Sequence, residues 1–311
     1  MTSTTQRGRV ASVAAHAADL LFLTRPVLLG PVWVIYGAGA VLAGGTPDVD
    51  LLFVSLLVAG VYVHNQITDR DTDRANSKLP LLSGEHVRTW EAWALTAGLW
   101  IAAGVWAITE GQRGLLYVLA FACGLLYDGV KHPLKARPWG GLMVNAAAHG
   151  TITFLAGWTR AGGGWIDGLL ASIPYTTAVA GVYLATTIAD TPGDRQAGKV
   201  TWSVRHGVHA SAWCTLVLTG VSTVVAVIFA DWWMAVAALI ASGWAVSLAI
   251  HPTASAAQRY VKVAVGGLAI LVAARWYLLI PIALVTFIAS RAYYRVRFDM
   301  RYPSIGAEPD A

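Results

Sequence analysis

Asn65, Asp69 and Asp73 follow closely on the apolar run 51–63, and Asp190 and Asp194 close a second apolar run further along the chain. Spaced i, i+4, i+8, the first three form one column of amide and carboxylate oxygens along a helix. Such a column repels itself unless a cation neutralises it. Hard oxygen donors suit Mg2+, above all where substrate phosphates complete its shell. The stretch Asp190-Thr-Pro-Gly-Asp194 repeats the i, i+4 pair. Basic residues follow each cluster at similar distances, Arg70, Arg74 and Lys78 in one case and Arg195, Lys199 and Arg205 in the other. Two acidic clusters with trailing cations predict a Mg2+-bridged diphosphate held between two helix ends. Asp71 is out of phase with the column, so it is expected to point away and to pair with a nearby Arg.

The elements that must position these residues are membrane helices. Of 311 residues, 56% are hydrophobic and only 13% charged, a balance that excludes an ordinary soluble domain of this size. Apolar segments at 20–43, 50–66, 90–108, 114–127, 141–158, 168–189, 210–230, 232–250, 259–274 and 276–294 each approach the roughly 20 residues that cross a bilayer as a helix. The expected fold is all-α, a polytopic membrane helix bundle of nine or ten transmembrane helices. Residues 1–17 and 298–311 are expected as cytoplasmic tails flanking a single domain at 18–297. Fourteen Trp fit interfacial anchors or a bundle core alike. Cys123 and Cys214 fall inside apolar segments and read as small buried hydrophobes.

Charge sets the orientation. Counted by alternate connections, one side receives Arg7, Arg9, Arg70, Arg74, Lys78, Arg88, Lys131, Lys135, Arg137, Arg195, Lys199, Arg205, Arg259, Lys262, Arg291, Arg295, Arg297 and Arg301, and the other only Arg113, Arg160 and Arg275. This asymmetry places both acidic motifs and both termini in the cytoplasm of a multi-pass protein of the cell membrane and favours an even number of spans. The net charge of +5 is explained by the same bias, so no nucleic-acid partner is expected. No cleavable signal peptide is evident. Each half has an apolar helix ending in an acidic pair and a basic loop, a loose internal duplication.

The loop at 127–137 carries Tyr127, Lys131, Lys135 and Arg137. Positive-inside bias accounts for its lysines, yet it leaves the fourth segment on the acidic side, where they would meet a departing diphosphate. Asn145 and His149 are polar groups at membrane depth, and such groups face the bundle interior or a cavity. His149 reads as a satisfied core histidine, and Arg25-Pro26 as an interface anchor. Gly140-Gly141 and Gly162-Gly163-Gly164 lack phosphate-loop spacing and read as turns.

These residues resemble a known family. Asn65-xxx-Asp69-xxx-Asp73, the downstream Asn76-Ser-Lys-Leu-Pro-Leu-Leu-Ser-Gly84, and Asp190-xxx-Asp194-Arg-xx-Gly198-Lys199-x-Thr201-xx-Val204-Arg205-x-Gly207 are similar to the motifs of the UbiA superfamily of intramembrane prenyltransferases. The resemblance runs from Arg25 through the last helices. It implies a prenyl diphosphate donor, Mg2+, a lateral cavity open to lipid, and a hydrophobic acceptor, aromatic or lipid. It implies Asn65, Asp69 and Asp73 for one metal and Asp190 and Asp194 for the other. Arg74, Lys78, Lys135, Arg137, Lys199, Arg205 and Asn145 would face the diphosphate, with Tyr127, Lys131 and Asp190 at the chemistry. Gln66 follows Asn65 where many members carry Asp, as in the homogentisate-type branch, and the family's usual count is nine helices. A transferase is the leading expectation. A membrane terpene cyclase shares its ionisation step, and a transporter fits poorly because the acidic residues cluster at helix ends rather than at the midplane.

Overall fold

The structure, a computed structural model, describes residues 3–75, 79–129 and 133–303. It is helical, with no strand among the described residues. The long apolar stretches form α1 (Ser3–Leu23), α2 (Gly30–Leu42), α3 (Asp50–Thr68), α6 (Thr89–Thr109), α7 (Gly114–Asp128), α11 (Ile173–Gln196), α13 (Val208–Ile228), α14 (Trp232–Ile250), α15 (Ala254–Arg275) and α16 (Leu279–Phe298). Short helices α4 (Arg70–Ala75), α5 (Pro80–Ser83), α10 (Trp165–Ala171) and α12 (Trp202–His206) lie in the connections. The fifth apolar segment is one rod in three pieces: α8 (Pro138–Asn145), a π-helical turn Ala146–Ile152, and α9 (Thr153–Arg160). Gly140-Gly141 therefore lie in a helix, whereas Gly162, at a φ of 94°, turns the chain as expected.

Among the described residues, seven helices are long and apolar enough to cross a membrane, α1 and α2 counting as one unit Val13–Leu42. The pair α10 and α11, bent by 42°, makes an eighth when taken as one span. Helix α7 and the α8–π–α9 rod are outside this set, so the expected count of nine or ten is not reached by length and composition. The last apolar region is broken after Arg275, giving two helices where one long helix would also have fitted the sequence. Large apolar side chains such as Ile108, Ile228 and Val296 point outward, where lipid rather than water is their natural solvent. The protein is an integral, multi-pass membrane protein.

Close packing sets the ring of helices around the interior. Gly157 of α9 lies so near α2 that a Cβ would overlap the Tyr36 carbonyl, the close approach that small residues permit between membrane helices. At the start of α3 the buried Asp50 carboxylate accepts from Tyr36 (2.8 Å), Trp106 (2.7 Å) and Tyr117 (2.7 Å), locking α2, α6 and α7 to one another. Nearby, Arg160 pairs with Asp48 (2.7 Å) and Glu110 (3.0 Å), and Arg113 with Glu110 (2.8 Å). Two of the three basic residues counted on the sparse side thus share one ionic network, at the end of the bundle opposite the acidic motifs.

Asp19 of α1 accepts from Tyr293 and Arg297 of α16, and Phe22, Leu23 and Tyr294 share one apolar cluster with Leu81 and Leu82 after the first motif. The two terminal helices meet at the acidic end, so the chain crosses an even number of times between them. Reporters fused at the two ends should therefore sit on the same side of the membrane; accessibility on opposite sides would contradict this topology.

Candidate functional site

The first motif spans an interruption of its helix. Helix α3 stops at Thr68, Asp69 caps it at φ −97°, ψ 6°, and α4 restarts at Arg70. Asn65 and Asp69 stay together, with Asn65 Nδ2 3.3 Å from Asp69 Oδ2. Asp73, whose N–H still donates to the Asp69 carbonyl at 2.7 Å, is buried with Arg25 at 3.8 Å and is not among the residues that line the central cavity. Gln66, buried on the other side of α3, donates to the Leu23 carbonyl at 2.7 Å and clasps the break before Arg25.

Lys135 closes over this motif. The Lys135 side chain is 8% exposed, and its ammonium donates to Asp69 Oδ2 (2.8 Å), Asp128 Oδ1 (2.8 Å) and Thr68 Oγ1 (3.2 Å). Asp128, at the end of α7, also accepts from Asn65 Nδ2 at 2.6 Å. Burial pushes the Asp69 carboxyl up; Lys135 and then Lys199 more than offset it, so its pKa lies below the ordinary value of 3.8.

The second motif lies inside α11 rather than beyond it, the helix running through Pro192 to Gln196. Pro192 lacks the N–H that would bond four residues back, which loosens the turn between Asp190 and Asp194. The i, i+4 spacing keeps both on one face, and both line the cavity. Thr201 donates to Asp194 at 3.0 Å, and Lys199 reaches Asp69 Oδ1 at 3.4 Å, joining the two motifs. Tyr127 lines the cavity with Tyr183, whose hydroxyl occupies the space a Cβ would take at Gly141 of α8.

These groups cap a cavity of about 560 Å³. Its charged end gathers Asn65, Asp69, Tyr127, Lys135, Asp190, Asp194 and Lys199, while Val34, Val58, Ala148, Val179 and Leu268 are among the apolar residues of the remainder. Asn145 and His149 line the wall at the π-helical turn, and His149 has no hydrogen-bond partner among the described residues, contrary to a satisfied core histidine. A second groove of about 650 Å³ between α6 and α7 has no charged lining residue.

Arg74, Arg137 and Arg205 are not brought to the cavity. Arg74 donates to the Ser83 carbonyl (2.8 Å) and pairs with Glu85 (3.0 Å); nine residues on from Asn65, it falls on the opposite face of the helix. Arg137 and Arg205 are exposed to solvent. Lys78, Lys131 and the side chain of Asp71 lie outside the described residues. Arg25, read from the sequence as an anchor, lines the cavity in a left-handed conformation (φ 51°), and its buried Nε lacks a partner. The sequence reading gives Asp128 no place, and Thr201 only a position within the second motif, without a role. The signal for Asp128 was a carboxylate inside the Tyr127-Asp-Gly turn, at the mouth of an apolar helix.

A bundle of this shape, with two acidic motifs closing a cavity, defines a class of intramembrane enzyme folds, and comparison with known proteins agrees. The model of the UbiA prenyltransferase family matches residues 31–264, and the chain belongs to that family. It is 33% identical over 183 residues to the protoheme IX farnesyltransferase of Anaeromyxobacter dehalogenans (strain 2CP-C), a match that spans 55% of this chain and 60% of that relative. The fold is that of a UbiA homolog from Archaeoglobus fulgidus solved with GPP and Mg2+ (TM-score 0.68, 20% identity, 86% of this chain, 99% of that one). It is likewise that of a UbiA homolog from Aeropyrum pernix K1 (TM-score 0.63, 19% identity, 81% of this chain, 98% of that one).

A carboxyl held below its ordinary pKa contributes stability that is present above the unfolded-state value and lost as pH falls through the folded-state value. The unfolding temperature of the wild type should therefore drop below about pH 4, and that of Asp69→Asn should drop less steeply. Thermal unfolding in detergent between pH 3 and 7 checks this, and parallel curves would contradict the Asp69–lysine pairing.

Proposed function

We propose that this protein is a Mg2+-dependent prenyltransferase that ionises an isoprenyl diphosphate and transfers the prenyl group to an aromatic or lipid acceptor. The observation that carries the reading is the cavity itself, charged at one end and apolar along the rest, as the two halves of a prenyl diphosphate require. Its oxygen-only acidic groups suit a hard cation. Among the described residues no three His, Cys, Asp or Glu side chains converge to hold a metal unaided, which fits an ion whose shell is completed by diphosphate oxygens. The Archaeoglobus fulgidus homologs solved with GPP or DMAPP and Mg2+ support the same donor class.

In this reading Asn65 and Asp69 serve one side of the diphosphate and Asp190 and Asp194 the other. Asp73 steadies Arg25 at the cavity wall. Mg2+, when bound, supplies Lewis-acid neutralisation of the leaving group. The chain does the rest. Lys135, Lys199 and Arg25 neutralise the developing negative charge as the bond from the prenyl carbon to the diphosphate oxygen breaks. Lys131 and Lys78 are assigned to the same task on the sequence motif. Tyr127 sits beside Asp69 and Asp190 to position the reacting end. The apolar wall excludes water until the acceptor's electron pair forms the new bond and the acceptor gives up its proton. Arg74, Arg137 and Arg205 would act on the surface around the mouth. The Lys and Arg asymmetry places the charged end in the cytoplasm, so the fused reporters should both be found there; a periplasmic or extracellular position for both would invert the orientation.

Turnover tests the reading. Asp69→Ala and Asp194→Ala should each lower diphosphate release by at least about a hundredfold, and chelation should abolish it reversibly. Release from the donor should depend on an added acceptor. A cyclic product formed from donor and Mg2+ alone, at a rate indifferent to acceptors, would instead make the protein a terpene cyclase.

A further inference from the structure

Asp128 has no exposed side-chain surface. Its Oδ1 accepts from Asn65 (2.6 Å) and Lys135 (2.8 Å), while among the described residues Oδ2 accepts nothing and lies 3.8 Å from Nδ1 of His64, a buried nitrogen likewise without a hydrogen-bond partner there. Lys135 has three N–H donors, and they are directed to Asp128, Asp69 and Thr68. With all three engaged, the ammonium has no proton left for an anion in the cavity. A divalent cation held by Asp69 would compete with Lys135 for that carboxylate and repel the ammonium, releasing one N–H. A lysine on a flexible stem, deprived of Asp69 and facing that cation, would then swing away unless a second carboxylate retained it.

We propose that Asp128 is a positioning residue that keeps Lys135 at the cavity when a cation takes Asp69, so that the released N–H turns to a diphosphate oxygen. Asp128 is suited to this because it is buried beneath the cluster and keeps one oxygen unengaged. The inference rests on the diphosphate reading above.

A double-mutant cycle tests it, using the full-length protein in detergent, Mg2+ and inorganic diphosphate, with affinity read by calorimetry. Asp128→Asn retains an oxygen for Asn65 but removes the charge that holds Lys135. It should weaken diphosphate binding by about tenfold or more in the wild-type background and by less than about twofold in a Lys135→Met background. Binding of Mn2+ alone should be unchanged by Asp128→Asn. Equal losses in both backgrounds would mean a merely structural role and overturn the inference, as would wild-type affinity in the single variant. Loss of Mn2+ binding would make Asp128 a metal ligand and overturn it too. If Asp128→Asn is not recovered folded, Asp128→Ser completes the same cycle with the same expected outcomes. Failure of the wild type to bind diphosphate with Mg2+ would defeat the reading of the site itself, a result distinct from all of these.

Discussion

Putting a charged cluster at the end of an apolar cavity is costly unless each charge is matched, and the ammonium of Lys135 does the matching here. Held at 2.8 Å from both Asp69 and Asp128, it lets two carboxylates stand side by side in a largely buried setting. Leaving a buried charge unmatched costs several kcal/mol, about 3–5 where one partner of a pair is removed. The neighbouring geometry follows from this requirement. Asn65 turns its amide nitrogen to Asp128 at 2.6 Å and to Asp69 at 3.3 Å because a carboxylate only accepts. Lys199 then ties the first motif to the second across 130 residues of sequence.

The scaffold supplies what the cluster needs. Tightly packed helices keep the cavity wall apolar, and the buried Asp50 clasp fixes α2, α6 and α7 at the far end. The breaks in the helices are concentrated where polar groups must face inward. Arg25 sits at the break between α1 and α2, Asp69 at the end of α3, Asn145 and His149 at the π-helical turn, and Pro192 between the two aspartates of α11. Irregular backbone inside a membrane bundle is tolerated where it lines a cavity, and these positions obey that rule.

Much of this was legible in the sequence because its signals are local. Apolar runs of helical length, two i, i+4 acidic pairs and a lopsided distribution of basic residues fix a membrane bundle with its acidic motifs at one end. What stayed hidden depends on where the backbone departs from an ideal helix. The interruption at Asp69 gives no local signal, and the partners of the residues beyond it, Arg25 beside Asp73 and Glu85 beside Arg74, come from other parts of the chain. Asp128 looked like any carboxylate at a helix end; only the return of Lys135 over it makes it the centre of a network. Gln66 stands beside Asn65 in sequence but faces the opposite side of α3, where it bonds the Leu23 carbonyl. Long-range pairings of this kind leave no spacing to read.

The central claim is that the two motifs close on one diphosphate while the cavity takes the prenyl tail. A structure of the protein with Mg2+ and a non-hydrolysable prenyl thiodiphosphate measures this directly. The account predicts the diphosphate between Asp69 with Lys135 on one side and Asp190, Asp194 and Lys199 on the other, and the tail along the apolar wall past Val179 and Leu268. A diphosphate bound at Arg74, Arg137 or Arg205 on the surface, or a tail seated in the groove between α6 and α7, would contradict it.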